Sequence, residues 1–130
     1  MSRLRVIPTL LADRKRLIKG TKFKNHKYIG DAINAIKIFN EKEVDELVFL
    51  DIKATAEGRG PDFQVVQDIA TEAFFPLAYG GGIRGIDDVQ RLMSLGVEKV
   101  VFGAAAFLMP DLVRESSELM GSQSVVVSVD

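Results

Sequence analysis

Segment 46–52 of the chain reads Glu-Leu-Val-Phe-Leu-Asp-Ile and carries the clearest sign of the fold class. It has the length of one β-strand, and it is apolar on both alternating faces between a charged start and an aspartate near its end. Strands of this kind are typical of parallel sheets covered by helices, because both faces of such a sheet are buried. The segment therefore predicts an α/β protein with Glu46 and Asp51 at opposite ends of a buried strand.

Similar apolar runs occur at residues 4–11, 76–79, 99–102 and 124–129. Between them, apolar side chains recur at helical spacing around residues 33–39, 66–73, 86–93 and 112–119. Helix starts are indicated at Asp31, Asp62 and Pro110, and helix ends at Gly96 and Gly121. Five strands alternating with four helices predict one parallel sheet with right-handed crossovers, in a single domain over residues 1–130. Within the longest connection, residues 16–19 and 20–23 could form a small hairpin.

Composition narrows the class of protein. The 130 residues are 47% hydrophobic and 27% charged, which is typical of a globular domain rather than a disordered or fibrous chain. No apolar run approaches the roughly 18 residues of a membrane span, and the N-terminus does not resemble a secretory signal, so we expect no membrane association. With no cysteine and one histidine, His26, we expect no disulfide, no metal site and no cofactor, and a cytoplasmic location.

Charge is distributed unevenly. Residues 1–27 contain nine basic residues and one acidic residue, whereas residues 28–130 contain eight basic and seventeen acidic residues. The basic segment could attract phosphorylated metabolites or could be a solvated loop. Nucleic-acid binding is disfavoured, because aromatic residues that could stack on bases are sparse there: Phe23 lies in the segment and Tyr28 directly follows it.

Candidate functional groups follow the predicted strands. Carboxyl ends of parallel strands share one edge of a sheet, and this edge would collect Asp51, the glycines 80–82, Gly103, Ala104 and Asp130. Gly81 and Gly82 lead from a strand toward a helix, so their backbone could bind phosphate, although a tight turn alone could require them. Asp51 and Asp130 could act as general acid or base. Asp51 could equally hold a loop, and Asp130 is the last residue.

The starts of the strands carry charges instead. Arg5, Glu46 and Lys99 precede or begin three predicted strands, and they could form a ring at the bottom of a barrel or simply be exposed strand starts. Residues 44–49 also resemble residues 97–102, which indicates two copies of a (βα)2 module.

Taken together, four stretches resemble the cyclase subunit of imidazole glycerol phosphate synthase, HisF, and its relatives in surface-polysaccharide amidation. They are Leu-Ile-Lys-Gly-Thr-Lys-Phe at 17–23, Asp-Glu-Leu-Val-Phe-Leu-Asp-Ile at 45–52, Gly-Gly-Gly-Ile at 80–83 and Gly-Ser-Gln-Ser-Val-Val-Val at 121–127. The likeness extends over the whole chain.

The resemblance implies part of a TIM barrel, a fold of about 250 residues with eight βα units. The chain is similar to the N-terminal (βα)4 half of that barrel plus a fifth strand. An open half-barrel leaves two sheet edges unpaired, so we expect a homo-oligomer, most simply a dimer. The alternative is a rearranged, flavodoxin-like five-stranded sheet with helices on both faces.

The resemblance also implies roles for individual residues. Two aspartates of the family close the imidazole ring with ammonia from a glutaminase partner; Asp130 matches the second, but the first falls at Leu11. Lys19 matches a loop lysine that contacts the substrate, and Gly82 matches a phosphate-binding position. At the same phosphate site Gly103 and Ala104 replace an Asn-Thr pair of the family, so their backbone donors could still bind phosphate while the side-chain contacts are lost. Three of the four charged residues that gate the ammonia channel are matched by Arg5, Glu46 and Lys99.

These matches lead to two hypotheses of different kinds. The chain could be an ammonia-dependent cyclase of the HisF type, weak or inactive alone, or an amidation subunit of the polysaccharide branch, which Leu11 and residues 8–11 resemble more. Alternatively, it could be a non-catalytic half-barrel that binds a phosphorylated small molecule or phosphate ion and assembles with itself.

Overall fold

A computed structural model describes residues 4–21, 25–103 and 105–128. The candidate residues Ala104 and Asp130 lie outside these ranges. The strands are β1 (Thr9–Asp13), β2 (Arg16–Thr21), β3 (Asn25–Asp31), β4 (Leu47–Asp51), β5 (Leu77–Gly80), β6 (Lys99–Phe102) and β7 (Val125–Val127). The helices are α1 (Ala32–Glu41), α2 (Phe63–Glu72), α3 (Ile86–Ser94), α4 (Ala105–Leu108) and α5 (Pro110–Met120), and a 3-10 turn spans Ser122–Ser124.

All seven strands form one sheet in the order β3-β2-β1-β4-β5-β6-β7. Five of the strands pair in parallel and follow one another in chain order, namely β1, β4, β5, β6 and β7. Chain order without reversal is the arrangement of a barrel, whereas a flavodoxin-like sheet reverses its order after the first strand. The α/β half-barrel prediction is therefore confirmed, the sheet is not closed, and the rearranged alternative is not adopted.

The hairpin predicted after the first strand exists, but its boundaries differ. Strands β2 and β3 are antiparallel, and β2 pairs with the end of β1 through the tight turn at Arg14, which has a φ of 56°. The second strand of the hairpin begins at Asn25, later than the predicted segment 20–23. The hairpin thus extends the sheet beyond β1 on the side opposite to β7.

The first parallel strand is shorter than residues 4–11. It begins at Thr9, although the carbonyl groups of Val6 and Pro8 already accept hydrogen bonds from Asp45 and Val48 at 3.0 and 2.9 Å. Proline has no N–H to donate, so Pro8 interrupts the ladder that an ordinary residue would continue. Residues 6–8 therefore run beside β4 without forming a regular strand with it.

Helix boundaries follow the sequence signals. The carboxylate of Asp31 accepts from the Asn34 N–H at 3.1 Å, and that of Asp62 accepts from the Val65 N–H at 3.2 Å, which caps α1 and α2. Pro110 is the first residue of α5, and Gly121 ends it with a φ of 95°. The short helix α4 has no counterpart in the sequence prediction, because four residues give too little periodicity to detect.

Helices and strands share one apolar core on one face of the sheet. Its buried members include Leu47, Phe49, Leu77, Tyr79, Val100, Phe102, Ile36, Val66, Ile69, Val89 and Leu92. The alternate residues of β4, Val48 and Leu50, belong to the other face and are only half-buried. Leu11 lies beside Leu50 in register, and Val126 is 40% exposed next to Val101. This second, partly exposed apolar face would be the interior of a closed barrel.

Within the described ranges, no helix combines the length and the apolar character required to cross a bilayer.

Candidate functional site

The carboxyl ends of β4, β5 and β6 surround a cavity of about 490 Å³. Its walls include Gly80, Gly81, Gly82, Gly103, Leu50, Val101, Arg59, Arg84 and Ser128. The structure thus brings together the predicted glycine turn, Asp51 and Gly103 at one edge of the sheet. In parallel α/β sheets this edge is where ligands bind.

The glycine turn packs directly against the loop that follows β4. A Cβ atom at Gly81 would lie 2.4 Å from the carbonyl oxygen of Asp51, and one at Gly82 would lie 2.6 Å from that of Arg59. Both residues also have positive φ values, 128° and 71°. Packing alone therefore requires glycine at both positions, as the tight-turn interpretation expects. The presence of these two glycines is thus not by itself a sign of phosphate binding.

Two backbone N–H groups of the cavity lining are candidate donors to phosphate. In the part of the chain that the structure describes, no protein atom accepts a hydrogen bond from the N–H of Gly82 or of Gly103. The start of α3, in contrast, already has its own anions: Asp87 and Asp88 lie in its first turn, and Asp88 accepts from the Arg84 N–H at 3.0 Å. An anion in the cavity would thus accept hydrogen bonds from the glycine N–H groups rather than from the start of α3.

Of the described side chains at the edge of the cavity, Asp51 accepts the most hydrogen bonds, and 2% of its side chain is exposed. It accepts from the N–H groups of Lys53 and Ala54, both at 3.1 Å, and from the N–H of Arg14 at 3.3 Å. Arg59 donates to both of its oxygens, at 2.9 and 3.1 Å. These contacts are those of a carboxylate that holds loops in place, which was the alternative to an acid-base role.

Arg59 connects three acidic side chains at the edge of the cavity. Besides Asp51, its guanidinium contacts Asp13 at 3.1 Å and Glu57 at 2.8 Å. The hydrogen bonds to Asp51 raise the pKa of Arg59 further above its ordinary value, against the opposing effect of burial. Arg59 therefore joins the end of β1 to the loop after β4 as a permanent cation.

Tyr79 lies beneath the glycine turn. Its hydroxyl donates to the carbonyl of Gly81 at 3.0 Å, and its ring stacks on Phe49 with 6.2 Å between centroids. Burial raises the pKa of Tyr79, and the negative charge of Asp51 raises it further. The phenol is therefore a neutral donor that supports the turn.

The residues implied by the resemblance are not all assembled at the cavity. Lys19 is exposed on β2, pairs in register with Lys27, and is absent from the described cavity lining. Leu11 is half-buried on the barrel-interior face and provides no proton-transfer group. Asp130 and Ala104 lie outside the described residues, so the proposed catalytic and phosphate roles of these two residues stay predictions.

Arg5, Glu46 and Lys99 meet at the opposite end of the sheet. Glu46 is buried, and its carboxylate lies 2.9 Å from the Arg5 guanidinium and 2.9 Å from the Lys99 ammonium. Glu46 and Lys99 occupy equivalent positions of the predicted repeat. The structure brings these three charges together, and their role at a channel stays a prediction. We name the three residues the basal triad.

Arg59 and Arg84 were not among the site residues predicted from the sequence. Arg59 lies between two glycines in the loop after β4, and Arg84 directly follows the segment 80–83. A cation at such a place is a usable signal, since the loops after parallel strands converge on one edge.

Comparison with known proteins finds a matching family model and relatives about twice as long as the chain. The family model described as "Histidine biosynthesis protein" matches residues 5–130. The chain is 45% identical over 130 residues to the imidazole glycerol phosphate synthase subunit HisF of Leptospira interrogans, covering 100% of the chain and 51% of that protein. It is 49% identical to the subunit hisF2 of Pseudomonas aeruginosa and 48% identical to hisF3 of Vibrio vulnificus, covering 52% and 50% of these proteins. The chain thus spans about half the length of the curated relatives it matches.

Proposed function

The chain belongs to the histidine biosynthesis protein family, and we propose that residues 1–130 are a HisF-type half-barrel domain that binds a phosphorylated metabolite and has little turnover alone. The observation that supports this most directly is the cavity at the carboxyl ends of β4, β5 and β6, which is lined by Gly82 and Gly103, two glycines whose N–H groups have no acceptor among the described residues. Backbone N–H groups at glycine-rich turns are suited to phosphate oxygens.

Low turnover is expected because one of two acid-base groups is replaced. In this family two aspartates close the ring, and here Leu11 stands where the first would be, while Asp130 matches the second. A positioned general acid or base contributes about 10²–10⁴-fold to a rate. The half-barrel therefore keeps one of the two groups and the binding cavity.

The basal triad is proposed to be the closed entrance of an ammonia path. Glu46 holds both cations across the starts of β4 and β6, so a small neutral molecule could pass only when one ion pair opens. We expect a glutaminase subunit to supply the ammonia at this end of the domain. The matched positions are the support for this partner and for the gating role.

Self-association is the second assembly that the proposal includes. Leu11, Val48 and Leu50 are half-buried on the barrel-interior face, and Val126 beside them is 40% exposed. Apolar surface and unpaired strand edges favour association. A homodimer in which two such faces pack together would bury both.

A binding and turnover experiment tests the proposed function. The purified chain is titrated calorimetrically with fructose 1,6-bisphosphate, as a bis-phosphorylated probe, and is assayed for ammonia-dependent formation of imidazole glycerol phosphate. Binding with slow turnover that disappears in Asp130→Asn supports the cyclase. Binding without turnover at any ammonia concentration contradicts the cyclase activity and supports the non-catalytic half-barrel. Absence of binding contradicts the phosphate site.

An amidation subunit of the polysaccharide branch is the second candidate. Leu11 favours it, because an apolar side chain at this position removes a group that the ring closure needs and that ammonia delivery to another acceptor does not. Ammonia transfer to a sugar-derived acceptor without ring closure in the same assay would favour this candidate.

A further inference from the structure

We infer that Arg84 is the cation that binds the phosphoryl group in the cavity, and that Gly60 leaves the space in which its guanidinium lies. This inference rests on the proposed phosphate-binding function and assigns its anchoring residue. The ligand class is a phosphate monoester of a small polyol or sugar.

Arg84 differs from the other cation of the cavity in what it contacts. Among the described residues that line the cavity, Arg59 and Arg84 are the two cations. The Arg59 guanidinium is engaged by Asp51, Asp13 and Glu57 and is 17% exposed. The Arg84 guanidinium is exposed, and within the described residues no carboxylate lies within 4.0 Å of it. Arg84 is therefore the guanidinium that an incoming anion can reach.

The position of the Arg84 side chain is restricted from two sides. Its main chain is fixed, because the Arg84 N–H donates to the carboxylate of Asp88 at 3.0 Å. Its guanidinium lies over Gly60 of the neighbouring loop, where a Cβ atom would be 2.9 Å from Nη2 and 3.5 Å from Cζ. The absence of a side chain at Gly60 thus allows the guanidinium to lie against this loop at the cavity wall.

The charges around the cavity permit an anion there. The charged residues of the described cavity lining are one carboxylate, Asp51, and two guanidinium groups, Arg59 and Arg84, so the lining has an excess of positive charge. The Asp88 carboxylate already accepts the N–H of Arg84. A guanidinium presents two parallel N–H groups to phosphate oxygens, which an ammonium group does not. Together with the N–H groups of Gly82 and Gly103, it would supply donors to several oxygens of one phosphoryl group.

The cavity is large enough to hold a ligand bigger than an inorganic phosphate ion. Small-molecule sites are typically about 300–1,000 Å³, and the cavity measures about 490 Å³. Its other walls include the apolar side chains of Leu50, Val101 and Met109. A phosphate bound near Arg84 therefore leaves space for an attached carbon skeleton.

Calorimetric titration of the full chain with ribose 5-phosphate and with inorganic phosphate tests this inference at constant ionic strength. Arg84→Gln should weaken both ligands about tenfold or more, since it removes a charge-assisted hydrogen-bond pair. Arg84→Lys should recover part of the loss, because it restores charge but not the paired donors. Arg114→Gln is the matched control, because Arg114 is 64% exposed and pairs with Asp111 on the surface of α5.

Gly60→Ala provides a second variant that leaves all charges in place. Gly60 has no positive φ, and the nearest obstacle to a Cβ atom is the mobile end of Arg84, so the fold and the melting temperature should be retained. The displaced guanidinium should nevertheless weaken the binding of ribose 5-phosphate severalfold.

The outcomes separate this inference from the proposed function. If the unmodified chain binds ribose 5-phosphate and Arg84→Gln binds it equally well, the role of Arg84 is wrong while the phosphate site stands. Equal losses in Arg84→Gln and Arg114→Gln would also overturn it, because they would indicate a general effect of net charge. If the unmodified chain binds neither probe, the phosphate-binding function itself is wrong, and the role of Arg84 with it.

Discussion

At the scale of single residues, Asp51 contributes more to the stability of the cavity edge than any predicted catalytic residue that the structure describes. Asp51→Ala would leave the Arg59 guanidinium, 17% exposed, without its bidentate partner. Arg59 would keep Asp13 and Glu57, but the N–H groups of Lys53 and Ala54 would also lose their acceptor. A buried donor left without a partner costs about 1–3 kcal/mol. We expect urea denaturation to show a loss of this size in the free energy of unfolding.

Asp111→Ala is the control for that measurement. Asp111 also pairs with an arginine, but its side chain is 79% exposed, so its removal should change the free energy of unfolding by less than about 1 kcal/mol. Equal losses for the two variants would contradict a loop-holding role for Asp51.

Tyr79 gives a prediction about pH, because burial raises its pKa above the ordinary value of 10.0. Below pH 10 the phenol is protonated in both the folded and the unfolded chain. Above it, the unfolded chain loses the proton and the folded chain keeps it, so stability falls by up to about 1.4 kcal/mol per pH unit. Urea denaturation between pH 8 and about 11 should show a steeper fall for the unmodified chain than for Tyr79→Phe, and parallel curves would contradict this.

The candidate site could be predicted from the sequence only in part, and single residues show why. Asp51 and Gly82 were recognisable because each follows an apolar strand-length run. Arg59 and Arg84 received no role, because a basic residue in a loop has no periodicity that marks it and its partners are distant in sequence. Asp13, for example, is 46 positions from Arg59.

At the scale of elements, the basal triad joins the starts of β4 and β6. Glu46 is 4% exposed at its side chain, Lys99 is 30% exposed, and Arg5 is 58% exposed. Because solvent screens Arg5 more than Lys99, Lys99→Met should destabilise the chain more than Arg5→Met does. We expect a cost of about 1–3 kcal/mol for Lys99→Met and under about 1 kcal/mol for Arg5→Met in the free energy of unfolding.

A double-mutant cycle between Glu46→Gln and Lys99→Met measures their coupling directly. Coupling within error of zero would show that the two strand starts are charged without stabilising each other, and it would remove the physical basis for a gate.

Element boundaries were predictable where a side chain marks them. Asp31 and Asp62 cap α1 and α2, and β6 has the predicted bounds, because capping aspartates and an uninterrupted apolar run act locally. The start of β1 was placed too early, since Pro8 is apolar like its neighbours but cannot donate to the ladder. Register and pairing of β2 and β3 depend on contacts between segments, which a local pattern does not contain.

At the scale of the whole molecule, the fold class was predictable because every parallel strand overlaps a short apolar run similar to segment 46–52. The chain order of β1, β4, β5, β6 and β7 was implied by the family resemblance and not by the local pattern, since the half-barrel and the flavodoxin-like sheet share the same alternation of strands and helices. The two differ in which strands are neighbours, and the basal triad is one contact that depends on β4, β5 and β6 being consecutive.

The partly exposed face of this sheet leads to the prediction for assembly. Val48 is half-buried on that face, whereas Ile38, on α1, is 48% exposed on the helical side. If two barrel-interior faces pack together, light scattering should give twice the chain mass for the unmodified protein. Val48→Lys should shift the mass toward that of one chain, because its charge would be buried in the interface, and Ile38→Lys should leave the dimer intact.

Three results would decide against a dimer through this face. A monomeric mass for the unmodified chain at all concentrations would contradict self-association. An equal response to Val48→Lys and Ile38→Lys would place the interface elsewhere, and so would a dimer that persists in folded Val48→Lys. Circular dichroism of Val48→Lys ensures that the comparison is made between folded chains, because a half-buried lysine can keep its ammonium group in water while its aliphatic part stays on the sheet.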